Sequence, residues 1–130
     1  MISTICQEIL TTAQAKALAT AGEHGVNVVP VSMIKVHADS IWLFDFFMEK
    51  TADHLRQQSP VALTAWTDMK GIQVKGDVTY HTDGDDFATA VAWVHTQNPS
   101  RVLKGLIIIT PTAIFDISPG VALTPQDLSL

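Results

Sequence analysis
Residues 61–81 read Val61-Ala62-Leu63-Thr64-Ala65-Trp66-Thr67, then Asp68-Met69-Lys70-Gly71, then Ile72-Gln73-Val74-Lys75-Gly76-Asp77-Val78-Thr79-Tyr80-His81. Val61 to Thr67 is a strand candidate, and Asp68 to Gly71 supplies turn chemistry. The second run alternates cleanly. Ile72, Val74, Gly76, Val78 and Tyr80 fall on one face, with Gln73, Lys75, Asp77 and Thr79 on the other, the two-residue period of a strand with one face buried. Two successive strands with no helix between them argue against the alternating rhythm of a parallel doubly wound sheet.

The flanks extend that pattern. Ala15 to Ala21 is a strand candidate, and Gly22-Glu23-His24-Gly25 is a turn with two permissive glycines. Val26 to His37 reads as one long strand, in which Pro30 marks an edge or a bulge. Ile41 to Phe44 follows after Asp39-Ser40. Residues 51–58 change character: Thr51 is a good N-cap, Asp53 lies in the first turn, and Pro60 ends the segment. Residues 3–13 carry Ile5, Ile9 and Leu10 at helical spacing. Thr82-Asp83-Gly84-Asp85-Asp86 starts another helix, with Phe87, Ala90, Val91 and Val94 on one side and Asn98-Pro99 closing it. Leu106 to Ile109 is the final strand, with a continuation past Pro111 to Ile117. Six or so strands and short helices predict an antiparallel α+β, mainly β, barrel occupying residues 1–130 as a single domain.

Composition bounds the function. The chain has 130 residues, 47% hydrophobic and 16% charged, against about 25% charged in ordinary soluble domains. That excludes a disordered chain. Mean hydropathy is +0.23, which hints at apolar surface covered by a subunit or a ligand. Eight Lys and Arg against 13 Asp and Glu leave a net charge of −5 with no basic stripe. The nearest cationic neighbours are Lys70 with Lys75 and Arg101 with Lys104, so nucleic acid is not an expected partner. Cys6 stands alone and cannot form an internal disulfide. The N-terminus lacks a basic region and the longest apolar stretch, Leu103 to Phe115, is interrupted by Lys104 and Pro111. The expectation is a cytoplasmic protein with no membrane partner.

Few residues carry recognisable chemistry. Histidines 24, 37, 54, 81 and 95 show no metal-binding spacing, and no metal is expected. Asp83-Gly84-Asp85-Asp86 fails as a calcium loop because Val94 stands where a bidentate Glu is needed. There is no nucleophile elbow, no P-loop and no Gly-x-Gly-x-x-Gly. One constellation remains: Phe44-Asp45-Phe46-Phe47-Met48-Glu49 leaves a strand and Lys50-Thr51 opens a helix. Backbone N–H groups at a helix start, with a lysine and a hydroxyl, suit a phosphate; taken alone, the segment reads more simply as a plain N-cap with a solvated lysine. His54 shares that helix face and reads as an exposed helix residue.

The order of these pieces resembles the FMN-binding split-barrel family, which includes pyridoxamine 5′-phosphate oxidase and small FMN-binding proteins. The resemblance rests on Leu18-Ala19-Thr20 with the glycine turn, Val28-Val29-Pro30-Val31-Ser32, Ile41-Trp42-Leu43-Phe44, Lys50-Thr51-Ala52-Asp53-His54-Leu55-Arg56, Ser59-Pro60-Val61-Ala62-Leu63 and Ile72-Gln73-Val74-Lys75-Gly76. It implies a six-stranded antiparallel split barrel with short flanking helices, forming a homodimer with FMN in clefts at the subunit interface.

By that resemblance Lys50 and Thr51 bind the FMN phosphate, and the backbone of Pro30, Val31 and Ser32 runs along the isoalloxazine ring. Phe46 and Phe47 lie in the loop near the ring, where small FMN-binding proteins can carry glycines; here they stack on the ring or fill the site. Gln73 lies on a strand that often faces the cofactor, and Trp66 and Trp93 are aromatic candidates from the partner subunit or core residues. The C-terminal arginine and histidine of pyridoxamine phosphate oxidases have no counterpart in Thr124 to Leu130. The resemblance therefore implies a flavin-dependent oxidoreductase, with a small-molecule electron donor or acceptor, other than a vitamin B6 oxidase. The alternatives are a non-catalytic module carrying flavin or another planar ligand such as haem, and a dimer whose cleft Phe46, Phe47 and Met48 fill.

Overall fold
The computed structural model describes residues 1–130. Val61–Thr67 (β5) and Lys70–His81 (β6) form the expected antiparallel hairpin, with Leu63 opposite Val74 and Ala65 opposite Ile72. Around it lie Thr4–Thr12 (α1), Ala15–Gly22 (β1), Gly25–Pro30 (β2), Ile34–Val36 (β3), Ile41–Asp45 (β4), Glu49–Arg56 (α2), Asp85–Gln97 (α3), Gly105–Asp116 (β7) and Pro125–Leu128 (α4). All strand pairs are antiparallel, in the order β2-β1-β5-β6-β7-β4-β3.

There are seven strands, not the expected six, because the run from Val26 to His37 is two strands. β2 ends at Pro30 and β3 begins at Ile34, and they lie at opposite edges of the sheet. Val31 N–H still reaches the Lys16 carbonyl of β1 one residue on, so the N–H that Pro30 lacks is the one that would face the open edge, and the edge is blunted there. The four residue steps from Pro30 to Ile34 span at most about 14 Å. Seven strands laid flat would hold their edges about 29 Å apart, at six spacings of roughly 4.8 Å. The sheet must therefore curl until its two edges nearly meet, a half-barrel split between β2 and β3.

β7 runs without interruption through Pro111, past a bulge. Val74 pairs with Ile114 and Lys75 with Ala113, but Gly76 pairs with Pro111, leaving Thr112 unmatched. The extra residue flips the inward parity from Ile107 and Ile109 to Ile114. Gly76 permits this close approach, since a Cβ there would strike the Thr110 carbonyl.

Two cores result. Inside the curl, Leu18, Leu43, Leu63, Ile72, Val74, Ile107 and Ile109 pack together, and α1 plugs one end with Cys6 and Leu10. Outside, Trp42, Phe44, Phe46 and Leu106 are covered by Ala90 and Val94 of α3. α4 was not anticipated, although Thr124 and Asp127 form a reciprocal capping box around Pro125. No helix is long and apolar enough to cross a membrane.

Candidate flavin-type cleft
The chain leaving β4 is held by Asp45, only 3% exposed. Its Oδ2 accepts the Tyr80 hydroxyl at 2.6 Å and its Oδ1 accepts the Met48 N–H at 2.7 Å. The Asp45 carbonyl accepts the Lys104 N–H at 2.9 Å. Burial first, and then the hydrogen bond to Asp45, push the Tyr80 phenol well above its ordinary pKa, so it stays a donor. The bond to Met48 closes the turn before α2, which starts at Glu49, two residues ahead of the expected start at Thr51. Thr51 is consequently not the N-cap. It is fully buried, and its Oγ1 accepts a 2.8 Å bond from Asn27 Nδ2.

This turn decides the fate of the two phenylalanines. Phe46 is driven into the outer core while Phe47 stands out, 83% exposed. A cleft of about 230 Å³ opens between them and the β2 edge; Pro30, Ser32, Phe46, Phe47, Met48 and Arg101 are among its lining residues. Arg101 stacks over the Phe46 ring at 4.0 Å and donates to Ser32 Oγ at 3.1 Å.

Further along the same edge, beside the first turn of α2, lies a second cleft of about 300 Å³ lined by Asn27, Lys50 and His54 together with Glu23 and Asp53. Asp53 is turned to Arg56 at 3.4 Å. His54 is half-buried, not an exposed helix residue: its Nδ1 lies 2.9 Å from Thr20 Oγ1, and its ring occupies the space a Cβ on Gly22 would need.

The structure thus gathers Pro30, Ser32, Phe46 and Phe47 into one cleft and puts Lys50 in its neighbour. Val31 lines neither cleft. Its side chain is in the barrel core and its N–H donates to the Lys16 carbonyl at 2.9 Å. Gln73 lies away from both clefts, in a cross-sheet row Pro30–Ala17–Thr64–Gln73, three strand spacings or about 14 Å from Pro30. Trp93 stacks on Phe44 in the outer core at 5.0 Å. Trp66 sits on the uncovered face opposite Ala15. Sequence reasoning missed Asn27, Arg101 and the Asp45–Tyr80 pair; only the adjacency of Arg101 to Lys104 gave any local signal.

The family model described as pyridoxamine 5′-phosphate oxidase matches residues 3–118. The chain belongs to that family. Among solved structures, HupZ of Group A Streptococcus superposes with a TM-score of 0.81 at 17% identity, covering 95% of this chain and 100% of that one. An FMN-binding protein from Syntrophomonas wolfei gives 0.75 at 17% identity, covering 89% of this chain and 86% of its own. A Clostridium acetobutylicum protein related to general stress protein 26, of the pyridoxinephosphate oxidase family, gives 0.67 at 15%, covering 86% and 84%. At such identities these likenesses establish the shared fold. No curated protein matches in sequence.

Proposed function
We propose that this protein is a homodimeric FMN-binding oxidoreductase whose flavin lies along the β2 edge. The cofactor of the family is FMN, and the match over residues 3–118 carries the reading. The chain's own residues fit both ends of that molecule. Pro30, Phe46 and Phe47 offer apolar and aromatic surface to the ring, with Arg101 beside them. Lys50 and Asn27 offer a cation and an amide at the phosphate end. Thr51 acts through Asn27, holding the amide in place, since its own hydroxyl is buried. FMN, when bound, supplies hydride and electron transfer at its isoalloxazine ring, while the protein supplies position and electrostatics.

The dimer is supported by an uncovered sheet face. Strand register aligns Val28, Ala19, Ala62 and Lys75 in one row and Pro30, Ala17, Thr64, Gln73 and Phe115 in the next. Val26 is 79% exposed, Val28 62% and Phe115 47%. No helix packs there, which leaves the face open to a second copy.

The test is a visible spectrum of the purified protein followed by flavin titration. Lys50→Ala should weaken FMN binding about ten-fold or more, the loss expected for a charge-assisted hydrogen bond of about 1.5–3 kcal/mol, whereas Lys70→Ala should not. Equal affinities for the two variants would remove Lys50 from the phosphate end.

A further inference from the structure
A cleft of about 490 Å³, larger than either cleft along β2, opens at the end of the barrel that α1 plugs. Three elements wall it: α1, the β5–β6 turn and the segment that follows β7. The sequence of α1 dictates the first wall. Cys6, Leu10 and Ala13 fill the barrel, so Ile5, Glu8, Ile9 and Thr12, at the three- and four-residue spacing of one helix face, line the cleft instead. Hydrogen bonds close the junctions between the walls. Gln14 N–H donates to Thr67 Oγ1 at 3.1 Å and ties the end of α1 to β5. Gly71 N–H donates to Ser118 Oγ at 3.2 Å and Ile117 N–H to the Gly71 carbonyl at 3.1 Å, which ties β6 to the C-terminal segment. The Asp116 carboxylate holds that segment through the Ala122 and Leu123 N–H groups. A cleft braced in this way exists before any ligand arrives and loses less on binding.

The lining is apolar at Ile5, Ile9 and Leu123, and its only charged residues are one of each sign, Glu8 and Lys70. These two do not pair with each other, since the protein's ion pairs are Met1 with Asp39 and Arg56 with Asp53. Lys70 is unusual among the eight basic residues of the chain. Lys16 donates to the Ala13 carbonyl, Arg56 pairs with Asp53, and Lys35, Lys75, Arg101 and Lys104 lie over aromatic rings, the last 5.1 Å from the Phe47 centroid. Only Lys50 and Lys70 have no partner, and each lines a cleft. A ligand of single charge would be attracted by one of Glu8 and Lys70 and repelled by the other; a ligand carrying both signs is attracted by both.

We propose that this cleft binds a free apolar α-amino acid, its carboxylate held by Lys70, its ammonium by Glu8 and its side chain against Ile5, Ile9 and Leu123. The site shares no lining residue with the clefts along β2 and does not rest on the FMN reading.

Calorimetric titration of the whole protein with L-leucine, N-acetyl-L-leucine and L-leucinamide tests it. L-Leucine should bind with a Kd of about 1 mM or tighter, and each singly charged analogue about ten-fold more weakly, the loss of one charge-assisted hydrogen bond. Both preferences should fall as salt rises. Lys70→Gln should erase the preference over leucinamide, which lacks the carboxylate, and Glu8→Gln the preference over N-acetyl-leucine, which lacks the ammonium. Both side chains are exposed and neither makes an ion pair, so the replacements leave the fold in place. No binding of L-leucine at about 10 mM, or preferences that survive both replacements, would overturn the site. An analogue that binds the wild-type protein as tightly as L-leucine would also overturn it, by showing that one end of a peptide suffices.

Discussion
Asp45 is the residue on which the clefts depend. Three N–H or O–H donors, from Met48, Tyr80 and Lys104, converge on one buried residue and hold the turn that presents Phe47 and begins α2. Arg56 covers the Tyr80 ring at 5.0 Å from the other side. Removing the phenol leaves a buried carboxylate oxygen without its partner, a defect costing about 1–3 kcal/mol. Tyr80→Phe should therefore lower the unfolding free energy by that amount, read as a lower urea midpoint; an unchanged midpoint would mean that Tyr80 does not anchor the turn. Little of this was legible beforehand. Tyr80 reads simply as one more inward residue of an alternating strand, and its phenol meets Asp45 only because β6 and β4 flank β7.

Among the elements, β7 and its C-terminal extension show how a local device fixes a long segment. The Asp116 carboxylate ends the strand and accepts the N–H groups of Ser118, Ala122 and Leu123 at 2.8–2.9 Å. These bonds, first those from Ser118, hold its pKa at about 2. The unfolded carboxyl, near pKa 3.9, takes up its proton first as pH falls. Its stabilisation is therefore full above about pH 4 and is lost as pH drops toward about 2. Thermal melts of Asp116→Ala should lie below wild type at neutral pH and converge with it across that window. A constant gap from pH 7 to about pH 2 would show that the charge on Asp116 contributes nothing. Elements of this kind were partly visible: the β5–β6 hairpin follows directly from period-two alternation. The start of α2 was missed because Thr51 is a good N-cap by composition, whereas the helix follows Met48, which has no side-chain cap and is placed by the turn that the Asp45 carboxylate holds.

For the whole molecule, the feature to explain is the hydropathy of so small a chain. Its apolar residues serve an inner core, an outer core under α3, and the uncovered face of β2, β1 and β5. On that face alanines line β1 at alternate positions and leave a flat surface for close approach of another sheet. Light scattering should give twice the 14.1 kDa chain mass. Val28→Glu should return it to the monomer mass with secondary structure intact, since Val28 is already exposed in the single chain. A wild-type monomer at micromolar concentration would dismiss the dimer.

The sequence by itself determined the class of fold, the hairpin at its centre, the family resemblance and the position of Lys50 beside a helix start, because each of these rests on residues within a few positions of one another. Only the tertiary structure decided that Val26 to His37 divides between two opposite edges, that Thr51 is buried behind Asn27, and that Arg101 and Lys104 reach the phenylalanines of the β4–α2 turn. Those outcomes depend on how far the sheet curls and on which strands lie side by side. Contacts across 55 residues, such as Arg101 on Phe46, leave no periodic trace in the chain.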